Sequence, residues 1–267
     1  RVYRLSLRRE SPDFRLVAIP QAPPPVDKAK KEVLVWTTLV RRGESIPVQV
    51  MVFRRDGFGG EIQLAAEGLP PGVTCVGARI EAGRNSALLV ISAAENAAAW
   101  FGPIKIVGRA RLGTNDVARE ARAGGPLWNV GDYNTEPVAS RLGAGIFLAV
   151  SDKESAPLTV QAAENKVWEA AATAKLQIPL KIVRRAEFGE VLKFKLVGLS
   201  ALEKLKELEV AGPATNATLE IDLSQYQVPP GTHTLHLQAE TKGKYRNNPE
   251  AAAQTEAALK AAEKAAV

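Results

Sequence analysis

An internal repeat constrains this fold more than any other feature of the sequence. Val48-Gln-Val-Met-Val52, Arg54-Arg55, Phe58-Gly59, Ile62-Gln-Leu64 and Gly68-Leu69 recur 130 residues later, without a gap. The second set is Ile178-Pro-Leu-Lys-Ile182, Arg184-Arg185, Phe188-Gly189, Leu192-Lys-Phe194 and Gly198-Leu199. Gly57 and Gly60 of the first copy become Glu187 and Glu190 in the second. One residue shorter, at an offset of 129, Gly102-Pro-Ile-Lys-Ile106 matches Gly231-Thr-His-Thr-Leu235. Two copies of one unit call for two similar domains, and 267 residues suit about two domains of roughly 150 each.

Each copy alternates apolar and polar residues like a series of short strands. Ile46, Val48, Val50 and Val52 face one way; Pro47, Gln49, Met51 and Phe53 face the other. Asp56-Gly57 and Gly68-Leu-Pro-Pro-Gly72 are turns, because glycine admits positive φ and proline fixes φ and removes a donor. Further strands are expected at Ala87 to Ile91, Ile104 to Ala110 and Val117 to Arg122, and around Leu219, Ile221, Leu223, Leu235 and Leu237. Many short strands separated by Gly/Pro turns, with no helices between them, predict an all-β fold of two tandem Ig-like Greek-key β-sandwiches. With one cysteine, Cys75, no internal disulfide can form, so each core must rest on aliphatic packing.

The expected organisation is a terminal strand of a preceding domain over 1–12, a first Ig-like domain over 13–125 and a linker over 126–143. A second Ig-like domain over 144–246 and an Ala-rich helical tail over 247–267 follow. Pro20 to Lys31 reads as an exposed loop, and Trp128 with Trp168 as aromatics packing between the domains. Asn248-Pro249 is a helix start, and nine of the eighteen residues from Glu250 to Val267 are alanine, giving high helix propensity. The chain opens at Arg1 inside an alternating run to Leu7, and the tail lacks a glycine cap at Val267. Both ends read as cuts in a longer protein.

Phe53-Arg-Arg-Asp-Gly-Phe-Gly-Gly-Glu-Ile-Gln-Leu64, Gly68-Leu-Pro-Pro-Gly-Val-Thr74 and Ile80-Glu-Ala-Gly-Arg-Asn-Ser-Ala-Leu88 resemble a bacterial Ig-like module. Modules of this kind adjoin pre-peptidase C-terminal domains in large secreted bacterial proteins. Asn129-Val-Gly-Asp-Tyr133, Ala144 to Ser151, Pro229-Pro-Gly-Thr-His-Thr234 and Lys244-Tyr-Arg-Asn-Asn-Pro-Glu250 are similar to the companion module. The resemblance implies spacer, stalk or adhesive roles, an extracytoplasmic home (secreted or on the cell surface), and no catalytic residues to carry over.

The side chains that could do chemistry are few. His233 and His236, three apart on an expected strand, point to opposite faces and cannot share an ion; His233 is expected inward and His236 outward. Cys75 has no histidine pattern beside it and reads as a small buried hydrophobe. Phosphate loops, GxGxxG, HExxH, GxSxG and calcium loops are all missing from the sequence. The chain is therefore expected to be no enzyme and to need no cofactor or metal.

Charge is unevenly shared. Residues 1–125 hold 19 Lys+Arg against 12 Asp+Glu, or +7, and residues 126–267 hold 16 against 17, or −1. Lys105, Arg109 and Arg111 are expected outward on one strand, with Arg119 and Arg122 near the next. Such a face could take an acidic polysaccharide or teichoic-type polymer, or could simply be a solvated face guarded against edge pairing. No stacking motif accompanies the arginines, so nucleic acid is not an expected partner. Trp100, expected in a loop with Phe101, is either a sugar-stacking platform or a plug at the end of a sandwich. The tail has too few large apolar residues for membrane insertion.

The resulting expectation is a non-catalytic structural or adhesive segment of a large exported bacterial protein. Its partners would be neighbouring domains of the same chain, and an acidic polysaccharide or another surface protein. Two alternatives stand beside it. One is a polysaccharide-binding module, which calls for exposed coplanar aromatics beside the basic strand; the candidate ligand-binding residues are Lys105, Arg109, Arg111, Arg119, Arg122 and Trp100. The other is an accessory segment of an exported hydrolase.

Overall fold

A computed structural model describes residues 9–22, 27, 29–185, 191–241 and 249–265. The expected strand at Arg1 to Leu7, the Pro23-Pro-Pro25 loop, Phe188-Gly189 of the repeat, the Lys244 to Asn248 stretch and the end of the tail at Val267 lie outside these residues. In chain order the first strands are β1 (Asp13–Pro20), β2 (Thr38–Arg42), β3 (Ser45–Arg55), β4 (Ile62–Glu67), β5 (Val73–Val76) and β6 (Ala78–Ile80). Next come β7 (Ser86–Ala93), β8 (Trp100–Leu112), β9 (Asn115–Glu120), β10 (Arg122–Pro126), β11 (Ser140–Leu142) and β12 (Ile146–Ser155). The remainder are β13 (Leu158–Ala162), β14 (Lys175–Arg184), β15 (Leu192–Val197), β16 (Leu208–Val210), β17 (Asn216–Asp222), β18 (His236–Gln238) and helix α1 (Pro249–Ala265). The chain is thus all-β, in sandwiches, with a C-terminal helix.

One sheet of the first sandwich runs β11-β10-β1-β3-β7-β5 and the facing sheet β2-β12-β8-β4-β6, with β9 also paired to β8. β1, β3, β7 and β5 stand in the order of the A, B, E and D strands of an immunoglobulin sandwich, and β4, β8 and β12 in that of C, F and G. The alternation of β3 puts Ile46, Val48, Val50 and Val52 into the core, with Leu89 and Ile91 of β7 and Ile104 and Ile106 of β8. Phe14 and Phe58 stack at 5.4 Å between ring centroids, and aliphatic side chains supply nearly all the rest of this core.

The structure differs from the sequence-based boundaries at β12. The second domain is expected to open at residue 144. In the structure Ile146–Ser155 pairs antiparallel with β8 and parallel with β2, and Ile146, Leu148 and Val150 are buried in the first core. Alternation marks a strand and its inward face, but not which sandwich it completes. The stretch after β10 likewise folds back on the first domain. Val33 bridges Val130, Val35 N–H donates to Asn129 Oδ1 at 2.7 Å, and Tyr133 N–H donates to Lys31 O at 2.9 Å. Trp128 there is 52% exposed and Trp168 lies half-buried with Lys166 Nζ 4.1 Å from its ring centroid.

Among the described residues the second sandwich has two three-stranded sheets, β13-β14-β17 and β16-β15-β18. Its registers reproduce those of the first. Pro47↔Val90 in β3–β7 corresponds to Gln177↔Glu220 in β14–β17, each residue moved by 130. Ile62↔Ile80 in β4–β6 corresponds to Leu192↔Val210 in β15–β16 by the same shift. The last strand departs from this. Ala66 pairs with Ile106, whereas Leu196 pairs with Leu237, two residues beyond the Leu235 that the 129-residue match points to.

Helix α1 follows from its alanine content and from Pro249 at its first position. It is exposed along nearly all its described length, and Glu250 in its first turn reaches Arg42 at 3.5 Å. No helix among the described residues is long and apolar enough to cross a membrane.

Candidate functional site

Three surfaces offer contact chemistry: the outer face of β8, a cleft between β1, β9 and β10, and the joint between the sandwiches. On β8 the period of two sends Lys105, Arg109 and Arg111 outward, as expected, and all three are exposed. Acids on neighbouring strands answer two of them. Lys105 Nζ lies 3.4 Å from Glu120, and Arg109 pairs with Glu67. Arg111 stands opposite Asp116 in the register of β8 and β9. Exposed pairs like these contribute little stability, ~0–1 kcal/mol each, but they offset most of the charge this face would present to an anion.

Trp100 is not in a loop. It opens β8 opposite Val150, packs against the first core, and lays its ring over Gly102, where a Cβ would come within 2.6 Å of the indole. It plugs the end of the sandwich. The exposed aromatics on this face are Phe101 and Phe147, 73% and 53% exposed, with ring centroids 5.7 Å apart and planes 16° from parallel. Leu39, 48% exposed, lies on the adjoining β2. Sequence reasoning missed Phe147 because the strand carrying it was read as part of the other domain.

Arg119 and Arg122 lie elsewhere. With Phe14, Arg15, Leu16 and Glu120 they line a shallow cleft of about 210 Å³. The cleft arises where two paths diverge: β10 pairs parallel with β1 in one sheet, while β9 pairs with β8 in the other. Arg119 Nε donates to Asp13 Oδ1 at 3.0 Å. Despite some desolvation, hydrogen bonds from Phe14 N–H and Arg119, with the charges of Arg119 and Arg55, hold the Asp13 carboxyl below its ordinary range.

The joint is polar. Only Ala156 and Pro157 separate β12 from β13, and both sandwiches hold them. Ala156 N–H donates to Arg42 O at 2.7 Å and Arg185 N–H to Pro157 O at 2.8 Å, while Arg185 Nη1 donates to Ala156 O at 2.9 Å. Arg185 also pairs with Glu95 of the first domain, and Thr159 Oγ1 donates to Gly43 O at 2.7 Å. A second cluster joins the β5–β7 region to the other sandwich. Arg79 Nη2 donates to Thr232 O at 2.9 Å, Ser200 Oγ to Glu81 Oε2 at 2.6 Å, Arg84 Nη2 to Glu203 Oε1 at 3.4 Å, and Thr234 Oγ1 to Gly77 O.

His236 sits in this second cluster. As expected it faces away from its own core, but it meets the backbone of Leu88 rather than solvent, and its Nε2 is buried without a partner. Leu88 lies on β7 just beyond the point where β5 ends, Val76 opposite Val90. Burial lowers the pKa of His236 from its ordinary value, more than the Leu88 bond raises it. His233, expected inward, is half-buried before β18, with Nε2 2.8 Å from Pro229 O. Cys75 packs half-buried against the first core, and burial pushes its thiol up to about 11.

Among the described residues no cluster of three or more His, Cys, Asp and Glu is placed to hold a metal ion. Compared with known proteins, the chain matches no family model and no curated protein.

Proposed function

We propose that this chain is a non-catalytic structural and adhesive segment of a large exported bacterial protein, of the Ig-like kind that adjoins pre-peptidase C-terminal domains. Two sandwiches held in fixed relation keep neighbouring domains apart and present the outer faces of their sheets. The joint carries this reading. Two residues connect the sandwiches, Ala156 bonded to both and Pro157 to the second, and a second set of polar contacts stands off the connection. A flexible tether would need a longer Gly/Ser-rich segment.

Small-angle X-ray scattering of the full chain tests the fixed relation: one rigid particle is expected, and a profile that needs two independently moving bodies overturns it. Fractionation of cells carrying the parent gene tests export, and a cytosolic location overturns that part.

A second reading, a polysaccharide-binding module, is supported by Phe101 and Phe147: two exposed, nearly parallel rings on the strand pair that carries Lys105. Aromatic faces pack against the C–H faces of sugars, burying apolar area on both sides. A glycan array with Phe101→Ala/Phe147→Ala separates this reading from the first: neutral-glycan binding that the double variant abolishes favours it, and no neutral-glycan binding disposes of it.

A further inference from the structure

We propose that the cleft between β1, β9 and β10 is a binding subsite for a carboxylated sugar unit of an acidic polysaccharide, held by Arg15, Arg119 and Arg122. This deepens the adhesive reading by naming a ligand class for it, and the site is separate from both the Phe101/Phe147 pair and the joint.

Local charge is the first support. Arg15, Arg119 and Arg122 line the cleft, Arg55 acts on Asp13 beside it, and Lys105 reaches Glu120 at its rim. Those five cations face two acids, Asp13 and Glu120, a local excess of 5 − 2 = +3. Among the described residues no acid pairs with Arg15 or Arg122, in contrast to Lys105 and Arg109 on the face of β8. Asp13 fixes Arg119 through Nε and so presets part of the site without occupying the two unpaired arginines.

Geometry is the second. β10 runs parallel to β1 with Val17 opposite Arg122, so Arg122 and Arg15, two residues before Val17 on the same face, are diagonal neighbours across the strands. Two guanidinium forks at that spacing can grip one planar carboxylate, each donating parallel N–H bonds.

Glu120 decides the ligand class. A carboxylate at the rim repels a densely anionic polymer but accepts hydrogen bonds from hydroxyl groups. A uronic acid ring carries one carboxylate and several hydroxyls together, so it satisfies both kinds of group. A single-stranded nucleic acid would look for a stacking ring, and the one ring in the cleft, Phe14, is fully buried.

The test is calorimetric titration of the whole 267-residue chain with a defined oligogalacturonate, at about 20 mM and about 150 mM salt. Its methyl ester, of the same length and uncharged, is the control ligand. Binding of the acid form that weakens with salt and is lost in the ester is expected. Arg15→Gln/Arg122→Gln, two exposed positions, should weaken it at least about tenfold, and Arg119→Gln should weaken it as well. Arg109→Gln/Arg111→Gln, exposed on β8 but outside the cleft, should change it by less than about twofold.

No binding at low salt overturns the proposal, as does equal binding of the ester. Equal loss in the Arg109/Arg111 variant also overturns it, since a diffuse basic face would then be responsible. Circular dichroism melting of each variant shows that a loss is not unfolding. Scattering of the same samples keeps the fate of the fixed-joint reading separate.

Discussion

Arg184 grips in the second sandwich the same turn that Arg54 grips in the first. Arg54 Nη2 donates to Glu81 O and Arg84 O, both at 3.1 Å. Arg184 donates to Ala211 O and Ala214 O, both at 3.2 Å, and every acceptor has moved by 130 residues. The turns match too: Arg84 N–H bonds to Glu81 O and Ala214 N–H to Ala211 O, each at 3.1 Å. The arginine at the end of β3, like that at the end of β14, is thus a clamp on the turn before the neighbouring strand. Arg54 adds a contact with the face of Phe58, 5.2 Å from the ring centroid.

Replacing either clamp should destabilise its own sandwich. Arg54→Ala and Arg184→Ala each remove two charged donors to backbone carbonyls, for an expected loss of about 2–3 kcal/mol. Lysine, lacking the fork, should restore only part. Hydrogen exchange read separately over β3–β7 and β14–β17 checks this; a loss spread equally over both sandwiches would contradict it.

Acid should open the joint. A histidine whose pKa is lowered by burial favours its neutral form when docked and takes up a proton more readily when undocked. The stability of the docked state is therefore full above the ordinary value of about 6.5. It falls as pH drops below that value and levels off beneath the docked pKa. Scattering profiles at about pH 7.5 and about pH 5 should differ, and His236→Gln should remove most of the difference.

The other cluster of the joint should weaken without acid. Thr159→Val with Arg185→Ala deletes bonds to Gly43, Ala156 and Glu95, costing docking about 1–3 kcal/mol. Gly43→Ala should act in the same direction. Its φ is +69°, and a Cβ there would sit 2.9 Å from Thr159 Oγ1. Interdomain distances measured with paired spin labels should broaden in both variants. Each domain's exchange protection should stay unchanged in the Thr159/Arg185 variant, with some lost around β2 and β3 in Gly43→Ala.

Cys75 should alkylate slowly. With the thiol pushed up to about 11, on the order of one part in a thousand is thiolate near pH 8. Iodoacetamide labelling should accelerate sharply once denaturant unfolds the first sandwich.

The strands and their inward faces were legible in the sequence because a period of two is a local signal: Ile46, Val48, Val50 and Val52 are all buried. The repeat carried further than the strands. It fixed the register of β14 on β17 through that of β3 on β7, since matching spacings between turns leave matching pairings. The outward direction of Lys105, Arg109 and Arg111 was legible for the same local reason. Their acidic partners were not, because Glu67 and Glu120 come from other strands. The joint was beyond reach as well: Arg79 bonding Thr232 links positions 153 residues apart and depends on how two finished sandwiches meet. One further signal lies in the repeat itself. Arg54 and Arg184 match between the copies while Gly57 and Gly60 become Glu187 and Glu190, as expected for a side chain that holds the unit itself together.

The ownership of β12 decides how the segment would respond to being stretched. Its far end runs into the second sandwich through Ala156 and Pro157, while its body lies between β2 and β8. Tension applied along it loads the flanking hydrogen bonds in shear, many at once, rather than peeling them singly. The second sandwich, with three strands to a sheet and smaller buried clusters, would yield first and lengthen the chain while the first stayed folded. Such an order of failure would make the pair a two-stage shock absorber.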